Sequence, residues 1–184
     1  MPEAADKRPF AASFGDALQM VERVGWRLWR LQCLPGIAPG VDAYTSELPA
    51  QPNVIRGDDP MAAWLGPREW LIGASEREAD TVPPPLRNAN GPDWFACDMS
   101  DGIVTFDVTG TRATEILAAD CPVDLEGPEM GHGRCAQTVL AQVPVLVYRT
   151  PGGQGWTVHV ERPLARHVFD WLSARAARAF RLSS

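Results

Sequence analysis

The sequence lacks an excess of positive charge. Its 17 Lys and Arg residues are outnumbered by 23 Asp and Glu residues, which gives a formal net charge of -6 and an isoelectric point near 5.0. Proteins that bind DNA or RNA contact the phosphates through clustered Lys and Arg, and this requirement shows in the sequence as a basic excess. We therefore expect no nucleic-acid partner.

Long apolar runs are also missing. No stretch approaches the ~20 consecutive apolar residues that cross a membrane as a helix. The first residues include Glu3, Asp6, Lys7 and Arg8 and contain no apolar segment of the kind found in secretory signals. The sequence therefore predicts a cytoplasmic protein with no membrane contact.

The four cysteines lack the spacing of metal-binding motifs. None belongs to a C-x-x-C pair or to a Cys and His series of the kind that holds zinc. Small buried thiols are common in cytosolic proteins, so we expect structural cysteines that are unpaired and bind no metal. They are Cys33, Cys97, Cys121 and Cys135.

A glycine-rich stretch at residues 131–138 lacks the features of a phosphate-binding loop, since it has neither G-x-G-x-x-G nor the ending G-K-[ST]. Two glycines flank His132, which could expose it as a general base. The residues around it do not match a known Ser or Cys nucleophile motif, and no second His lies nearby in the sequence. A flexible surface turn is the favoured interpretation, and a hydrolase that uses His132 and Cys135 is the least supported function. We predict no catalytic, cofactor-binding or metal-binding residue in this chain.

The composition is that of an ordinary globular domain, with 45% hydrophobic and 22% charged residues in 184. Residues 1–15 are rich in Ala and charge and are expected to be a flexible leader. We expect a single α+β domain over residues 16–182, with an extended Pro- and Gly-rich connection at residues 35–60. Between Asp16 and Leu34 the pattern fits both a helix and strands, and a helix followed by a strand is favoured.

The hydrophobic period changes within residues 104–125. From Val104 to Val108 apolar and polar residues alternate, which predicts a strand with one buried face. Gly110 ends the strand, and apolar residues at helical spacing continue through Ala119 until Pro122 stops the helix. Further strands are predicted up to Leu140, at Val143–Tyr148 and at Trp156–Val160.

Residues 63–72 contain two short apolar runs around a Gly-Pro pair, which predicts a β-hairpin. Trp64 and Trp70 lie at its ends. Each indole buries a large area and carries one N–H that needs a partner when enclosed. The pair belongs to the core, forms a ligand platform or makes a subunit contact, and core is favoured.

A C-terminal helix is predicted from Pro163, which suits a first helical turn. Its apolar stripe should pack on the sheet and consists of Leu164, Val168, Trp171 and Leu172. Arg175 falls on the same stripe. It either snorkels, which is favoured, or reaches a carboxylate of a partner chain. Together the segments predict an α+β fold, a mixed or antiparallel sheet with packed helices.

Several motifs, in order along the chain, resemble one known family. They are W-L-G-P-R-E-W-L at 64–71, D-M-S at 98–100, C-P-V-D-L at 121–125, G-R-C-A-Q-T at 133–138 and the last strand and helix at 160–172. Over roughly residues 45 to 175 they resemble the gamma subunit of heterotetrameric sarcosine oxidase. That family is related to the folate-binding domain of the glycine cleavage T-protein.

The resemblance implies a T-protein-like domain that serves as a non-catalytic scaffold in a complex that oxidatively demethylates sarcosine or a related secondary N-methyl amine. It implies that FAD, FMN, NAD, tetrahydrofolate and zinc belong to partner subunits, and that the partners are the alpha, beta and delta subunits. Interfaces are enriched in Trp and Arg. We therefore predict that the subunit interface includes Trp64, Trp70, Arg134 and Arg175.

The sequence departs from the related patterns at three places. The paired Asp of the T-protein would fall near residues 142–144, where no carboxylate stands, so aminomethyl transfer is not expected. Pro163 replaces the Ser that usually follows the Arg of the last strand. Residues 133–137 also resemble the K-G-C-Y-x-G-Q signature of stand-alone folate-binding proteins that support iron-sulfur enzymes, but lack the Tyr and the second Gly. Such a protein is the alternative function.

Overall fold

The computed structural model describes residues 9–34, 48–83, 87, 90–91 and 94–181, and its strands form two six-stranded sheets. In chain order the strands are β1 (Ala11–Phe14), β2 (Leu18–Glu22), β3 (Trp26–Cys33), β4 (Ile55–Arg56), β5 (Met61–Gly66), β6 (Glu69–Ser75), β7 (Asn90–Gly91), β8 (Trp94–Asp98), β9 (Ile103–Thr109), β10 (Cys135–Leu140), β11 (Val143–Arg149) and β12 (Gly155–Glu161). The helices are α1 (Ala113–Ala118) and α2 (Arg162–Arg181), with short 3₁₀ helices at Ala79–Thr81 and Pro128–Met130.

Each sheet is built from antiparallel neighbours. The first sheet has the order β1-β2-β9-β12-β11-β10, and the second has the order β4-β5-β6-β3-β8-β7. Both helices pack on one face of the first sheet, and its other face packs on the second sheet. The predicted α+β class, with antiparallel strands and packed helices, is confirmed.

Strand β9 lies inside the first sheet between β2 and β12. Its residues Val104, Phe106 and Val108 are buried in the core beneath the helices. The turn that follows requires Gly110, which has a φ of 120° and lies so close to the chain that a Cβ would stand 2.5 Å from the Ala17 carbonyl oxygen. Helix α1 begins three residues later, so the predicted change from strand to helix is confirmed.

Helix α2 buries a narrower stripe than the sequence predicted. Ala165, Val168, Leu172 and Ala176 are at most 2% exposed and pack on the first sheet. At 100° per residue these four positions form the centre of the buried face. Leu164 lies at its border and is 36% exposed, so its assignment to the core was wrong. Trp171 is partly buried at the same border.

The second sheet has an inner and an outer core. Its inner face packs on the first sheet through residues such as Leu28, Ala63 and Leu71. The outer face is covered by the connecting segments and encloses Trp29, Leu31, Leu48, Ile72 and Val82. The predicted hairpin at residues 63–72 is confirmed as β5 and β6.

The predicted helix near residue 16 and part of the predicted flexible leader were wrong. Residues 11–14 form β1, which pairs with β2, and β2 pairs in turn with β9. Leu18 and Met20 point into the core with no exposed surface, while the intervening Gln19 is exposed, which is the period of two that a strand requires. Phe10 also packs its ring 5.6 Å from that of Phe106. Residues 1–8 lie outside the described residues.

The predicted connection at residues 35–60 is described from residue 48 onward. This part carries the short strand β4, which pairs with β5. Residues 35–47 lie outside the described residues, and the single domain over residues 16–182 stays a prediction. Among the described helices, none has both the length and the apolar character required to cross a membrane.

Candidate functional site

Trp64 and Trp70 form a directly opposed cross-strand pair beside the turn of the β5–β6 hairpin. Both side chains are half-buried. Trp70 packs against the outer core of the second sheet, and its Nε1 donates a hydrogen bond of 2.8 Å to the Pro49 carbonyl. The partner that an enclosed indole N–H needs is thus supplied by the chain itself, which favours the core interpretation for Trp70.

Arg134 lies immediately before β10, where the two sheets meet at their edges. Its backbone forms an isolated bridge with Val54, and the Cys135 N–H donates to the Asn53 carbonyl at 2.9 Å. The guanidinium Nη2 stands 3.3 Å from Oε2 of Glu129, whose side chain is 84% exposed. The Arg134 side chain itself is 30% exposed. A pair with one partner this exposed contributes about 0–1 kcal/mol, so Glu129 adds little to the stability of the fold.

Arg175 lies at the border of the buried face of α2. The centre of its guanidinium stands 5.3 Å from the centroid of the Trp171 ring, which is itself partly buried against the core. A half-buried arginine with its stem on an aromatic ring and its charge at the surface is the snorkelling arrangement. The favoured interpretation of Arg175 agrees with this geometry.

The four predicted interface residues do not form one surface. Trp64 and Trp70 lie on the outer face of the second sheet, whereas Arg175 lies on the helices that cover the far face of the first sheet. Arg134 lies between these layers, at a sheet edge. A single flat surface could therefore not contact both Arg175 and the tryptophan pair.

An ion pair that the sequence does not predict lies on the side of the first sheet that faces the second sheet. Arg23, just after β2, donates from Nε to Oδ2 of Asp107 at 2.9 Å, and its Nη2 contacts the other carboxylate oxygen and Thr157 Oγ1. Its guanidinium also covers the Trp26 ring, 4.7 Å from the centroid. Burial alone would lower the pKa of Arg23, but the hydrogen bond and charge of Asp107 outweigh it and leave this pKa raised.

A second polar group, His159, is enclosed beside this pair. Its Nδ1 lies 2.9 Å from Thr105 Oγ1, and its Nε2 lies 3.1 Å from the Tyr148 hydroxyl. Burial lowers the pKa of His159 to about 3, and the charge of Arg23 acts in the same direction. Burial also raises the pKa of Tyr148 to about 12. Neither group exchanges protons near neutral pH, so the cluster has a structural role between the sheets.

The sequence contained only an ambiguous signal for this cluster. Polar Thr105 and Asp107 alternate with apolar residues on β9, and that pattern is typical of a strand with one solvated face. A strand whose polar face meets a second, partly polar sheet produces the same pattern. The other members of the cluster, Arg23, Tyr148 and His159, come from three other parts of the chain.

An open, mainly apolar groove of about 490 Å³ also lies between the two sheets. Its apolar lining includes Leu65, Leu71, Met99, Val139, Pro144 and Val160. Two polar residues at the groove are engaged by the chain: Arg30 forms an ion pair with Glu69, and Gln137 Nε2 donates to the Leu65 carbonyl at 2.5 Å. The groove therefore offers mostly apolar contact.

His132 and Cys135 are not arranged as a catalytic pair. His132 is exposed and lies against Gly153, whereas the Cys135 side chain is buried between the sheets with its thiol 3.9 Å from the Trp64 carbonyl oxygen. Burial raises the pKa of Cys135 to about 11. Because the thiolate is the nucleophile, Cys135 is unreactive near neutral pH.

The four cysteines are free thiols in the structure. Cys33 and Cys135 are buried, and Cys97 and Cys121 are half-buried. Within the part of the chain that the structure describes, no three His, Cys, Asp or Glu side chains are grouped as metal ligands.

Comparison with protein families gives one match that covers most of the chain. The family described as sarcosine oxidase, gamma subunit family matches residues 34–178. The chain belongs to this family. The resemblance seen in the motifs between residues 64 and 172 is thereby confirmed.

Individual family members agree with the assignment. Sarcosine oxidase subunit gamma of Corynebacterium sp. (strain U-96) is 35% identical over 129 residues, which is 68% of this chain and 61% of the relative. The protein of the same name from Corynebacterium sp. (strain P-1) is 30% identical over 74% of this chain and 68% of the relative. The match to the strain U-96 protein thus spans less than two thirds of that relative's length.

Two solved structures share the fold. A chain of heterotetrameric sarcosine oxidase from Corynebacterium sp. U-96, in complex with pyrrole 2-carboxylate, matches with a TM-score of 0.76 and 27% identity over 91% of this chain and 88% of that chain. Glycine cleavage system aminomethyltransferase T from Bartonella henselae matches with a TM-score of 0.59 and 15% identity, over 84% of this chain and 45% of that chain. The T-protein-like fold is therefore confirmed, and the alternative of a stand-alone folate protein is not favoured.

Proposed function

We propose that this chain is the non-catalytic gamma subunit of a cytoplasmic, heterotetrameric sarcosine oxidase-like complex, which oxidatively demethylates sarcosine or a related secondary N-methyl amine. The observation that carries the proposal is the family match over residues 34–178. The agreement of the whole fold with a chain of a heterotetrameric sarcosine oxidase, at a TM-score of 0.76, supports it.

The chemistry of the described side chains is consistent with a scaffold. The polar groups between the sheets are an ion pair, Arg23 with Asp107, and a histidine whose pKa is lowered to about 3. The buried Cys135 thiol has a pKa of about 11. General acid–base and nucleophilic catalysis need groups that titrate near the working pH, and burial moves His159 and Cys135 away from that range.

The proposal assigns the redox chemistry to the partners. In it, FAD, FMN, NAD, tetrahydrofolate and zinc are held by the alpha, beta and delta subunits, and this chain contributes surface and stability to the assembly. The predicted contacts Trp64, Trp70, Arg134 and Arg175 belong to this proposal. Since Trp64 with Trp70 and Arg175 lie on opposite layers, we propose that they meet different partner surfaces.

The test is reconstitution from purified subunits. The isolated chain is expected to show no flavin absorbance and no sarcosine-dependent oxygen consumption. Adding it to the alpha, beta and delta subunits should give a complex with one gamma chain by light scattering, and omitting it should give an unstable or incomplete complex. A gamma chain that stays monomeric beside all three partners, yet titrates stoichiometrically with tetrahydrofolate, would replace this proposal with the stand-alone folate protein.

A further inference from the structure

Positive charge is concentrated on helix α2. This helix carries five arginines and one aspartate, whereas the chain as a whole has a net charge of -6. The remainder of the chain is therefore strongly acidic, and α2 is a basic element on an acidic protein. Fields of this kind steer charged partners toward one face of a molecule.

The arginines near the beginning of α2 are neutralised within the chain. Arg162 lies 3.6 Å from a Glu22 carboxylate oxygen, and its Nε donates to the Asp101 carbonyl at 2.8 Å. Arg166 pairs with Asp170 on the next turn at 3.0 Å. Most of the positive charge of these two side chains is therefore balanced by carboxylates of the same chain.

Farther along the helix, Arg175 and Arg178 have no such compensation from the part of the chain that the structure describes. Arg175 stacks on Trp171, and among the described residues neither arginine forms an ion pair. Trp171, Arg175 and Arg178 are spaced at i, i+4 and i+7, which places them along one side of the helix. They lie beside the buried face, where Trp171 and Arg175 are half-buried and Arg178 is exposed.

A basic and aromatic strip of this kind has the composition of a protein interface. Trp and Arg are the residues most often found to dominate binding energy. Trp171 offers a rigid apolar surface, and its contact with Arg175 holds the guanidinium at the surface in one place, which reduces the entropy lost on binding. Arginines near a helix end also interact favourably with the helix dipole, but that effect requires no adjacent tryptophan.

We propose that the strip formed by Trp171, Arg175 and Arg178 docks on an acidic surface of a partner subunit of the oxidase complex. The inference rests on the proposed function, because that function supplies the partner. Charge complementarity selects the occupant: the rest of this acidic chain repels an acidic surface, whereas the strip attracts it. The carboxylates of the partner then pair with the two guanidinium groups.

The experiment measures the rate at which the purified chain associates with the assembled alpha, beta and delta subunits. The double variant Arg175→Glu/Arg178→Glu reverses the charge of the strip. The control variant Arg77→Glu/Arg166→Glu makes the same change in net charge at side chains that are 92% and 71% exposed. Arg77 follows β6, and Arg166 lies on the opposite side of α2 from Arg175. Rates are compared at about 0.01 M and about 0.15 M salt, where the Debye length is about 30 Å and 8 Å.

The proposal predicts that the strip variant associates at least tenfold more slowly than the wild type at low salt, within the roughly 10- to 1,000-fold range of electrostatic steering. The control variant should stay within about twofold of the wild type, and the strip variant should lose most of the salt dependence. If circular dichroism shows that the strip variant is unfolded, Arg175→Gln/Arg178→Gln keeps most of each side chain and is expected to slow association about threefold.

Three results would overturn the proposal. If the wild type assembles but the strip variants assemble equally fast, the partner contact lies elsewhere and the proposed function stands. If the wild type does not assemble with the three subunits at all, the proposed function fails and the inference fails with it. If the strip variants lose affinity for duplex DNA but not for the subunits, the strip binds nucleic acid instead.

Discussion

At the scale of single residues, His159 is the clearest case of a side chain whose state is set by its surroundings. Both ring nitrogens have hydrogen-bonding partners, and the side chain is enclosed between the sheets. A neutral imidazole can donate from one nitrogen and accept at the other. Burial disfavours the charged imidazolium and lowers the pKa of His159 to about 3, and the positive charge of Arg23 acts in the same direction.

This lowered pKa predicts a specific acid sensitivity. In the unfolded chain His159 titrates near pH 6.5, so below that pH the unfolded state binds one proton more than the folded state. The contribution of His159 to the free energy of unfolding is therefore fully present above about pH 6.5. It falls by up to about 1.4 kcal/mol per pH unit as the pH is lowered toward 3. The variant His159→Gln should reduce this slope by about one proton in urea titrations at several pH values.

The exposed His132 provides the matched control, because His132→Gln removes a histidine without a buried partner. The slope should change more for His159→Gln than for His132→Gln, because only His159 is enclosed between the sheets. The carboxylates are the same in all three proteins, so their titration affects the three slopes alike. Equal slopes for His159→Gln and the wild type between pH 6.5 and 5 would show that His159 is protonated in the folded protein.

At the scale of elements, packing buries only part of the apolar stripe that the sequence predicts for α2. Leu164 and Leu172 are both leucines on the predicted stripe, but Leu172 has no exposed surface and Leu164 is 36% exposed. The variant Leu172→Ala should lower the free energy of unfolding by about 2–5 kcal/mol through lost burial and a cavity. Leu164→Ala should lower it by less than about 1 kcal/mol. Guanidinium melts of both variants measure the contrast, and equal losses would contradict the observed orientation of the helix.

Some elements contradict their local signals. The β10–β11 hairpin turns through Ala141 and Gln142, both with positive φ, where Asn-Gly or Asp-Gly would be typical. The turn is held from outside, since His167 Nε2 lies 3.1 Å from the Ala141 carbonyl oxygen. Contacts with α2 and the flanking strands thus impose a conformation for which these two residues have no preference.

At the scale of the whole molecule, the two sheets depend on each other. The inner face of the second sheet has no other cover than the first sheet among the described residues, and Leu146 of β11 lies in this shared core at 6% exposure. The ion pair of Arg23 with Asp107 lies between the same layers. The sheets should therefore unfold together.

This dependence predicts one cooperative transition. Tryptophans report on both sheets, because Trp29 and Trp70 belong to the second and Trp156 to the first, so fluorescence and circular dichroism should give the same midpoint. Leu146→Ala should lower both midpoints equally and cost about 2–5 kcal/mol. Val139→Ala, on the neighbouring strand at 41% exposure, should leave them nearly unchanged. Separate fluorescence and circular dichroism midpoints would mean that the sheets unfold independently.

The sequence by itself determined the elements whose signals are local. The hairpin at residues 63–72, the change from strand to helix after Val104, the last two strands and α2 all follow from hydrophobic period and from Gly or Pro at the right place. The ordered motifs also determined the family, which the match over residues 34–178 confirms. These features need no knowledge of which surfaces meet.

Only the tertiary structure decided which polar and apolar faces are covered. It decided that residues 18–22 are a strand, because β9 offers them a pairing edge, and that the polar side of β9 meets Arg23 and a second sheet. It also separated the tryptophan pair at Trp64 and Trp70 from Arg175 by two layers of sheet. Burial and strand pairing depend on segments far apart in the chain, and a local sequence pattern does not specify which distant segments pack against it.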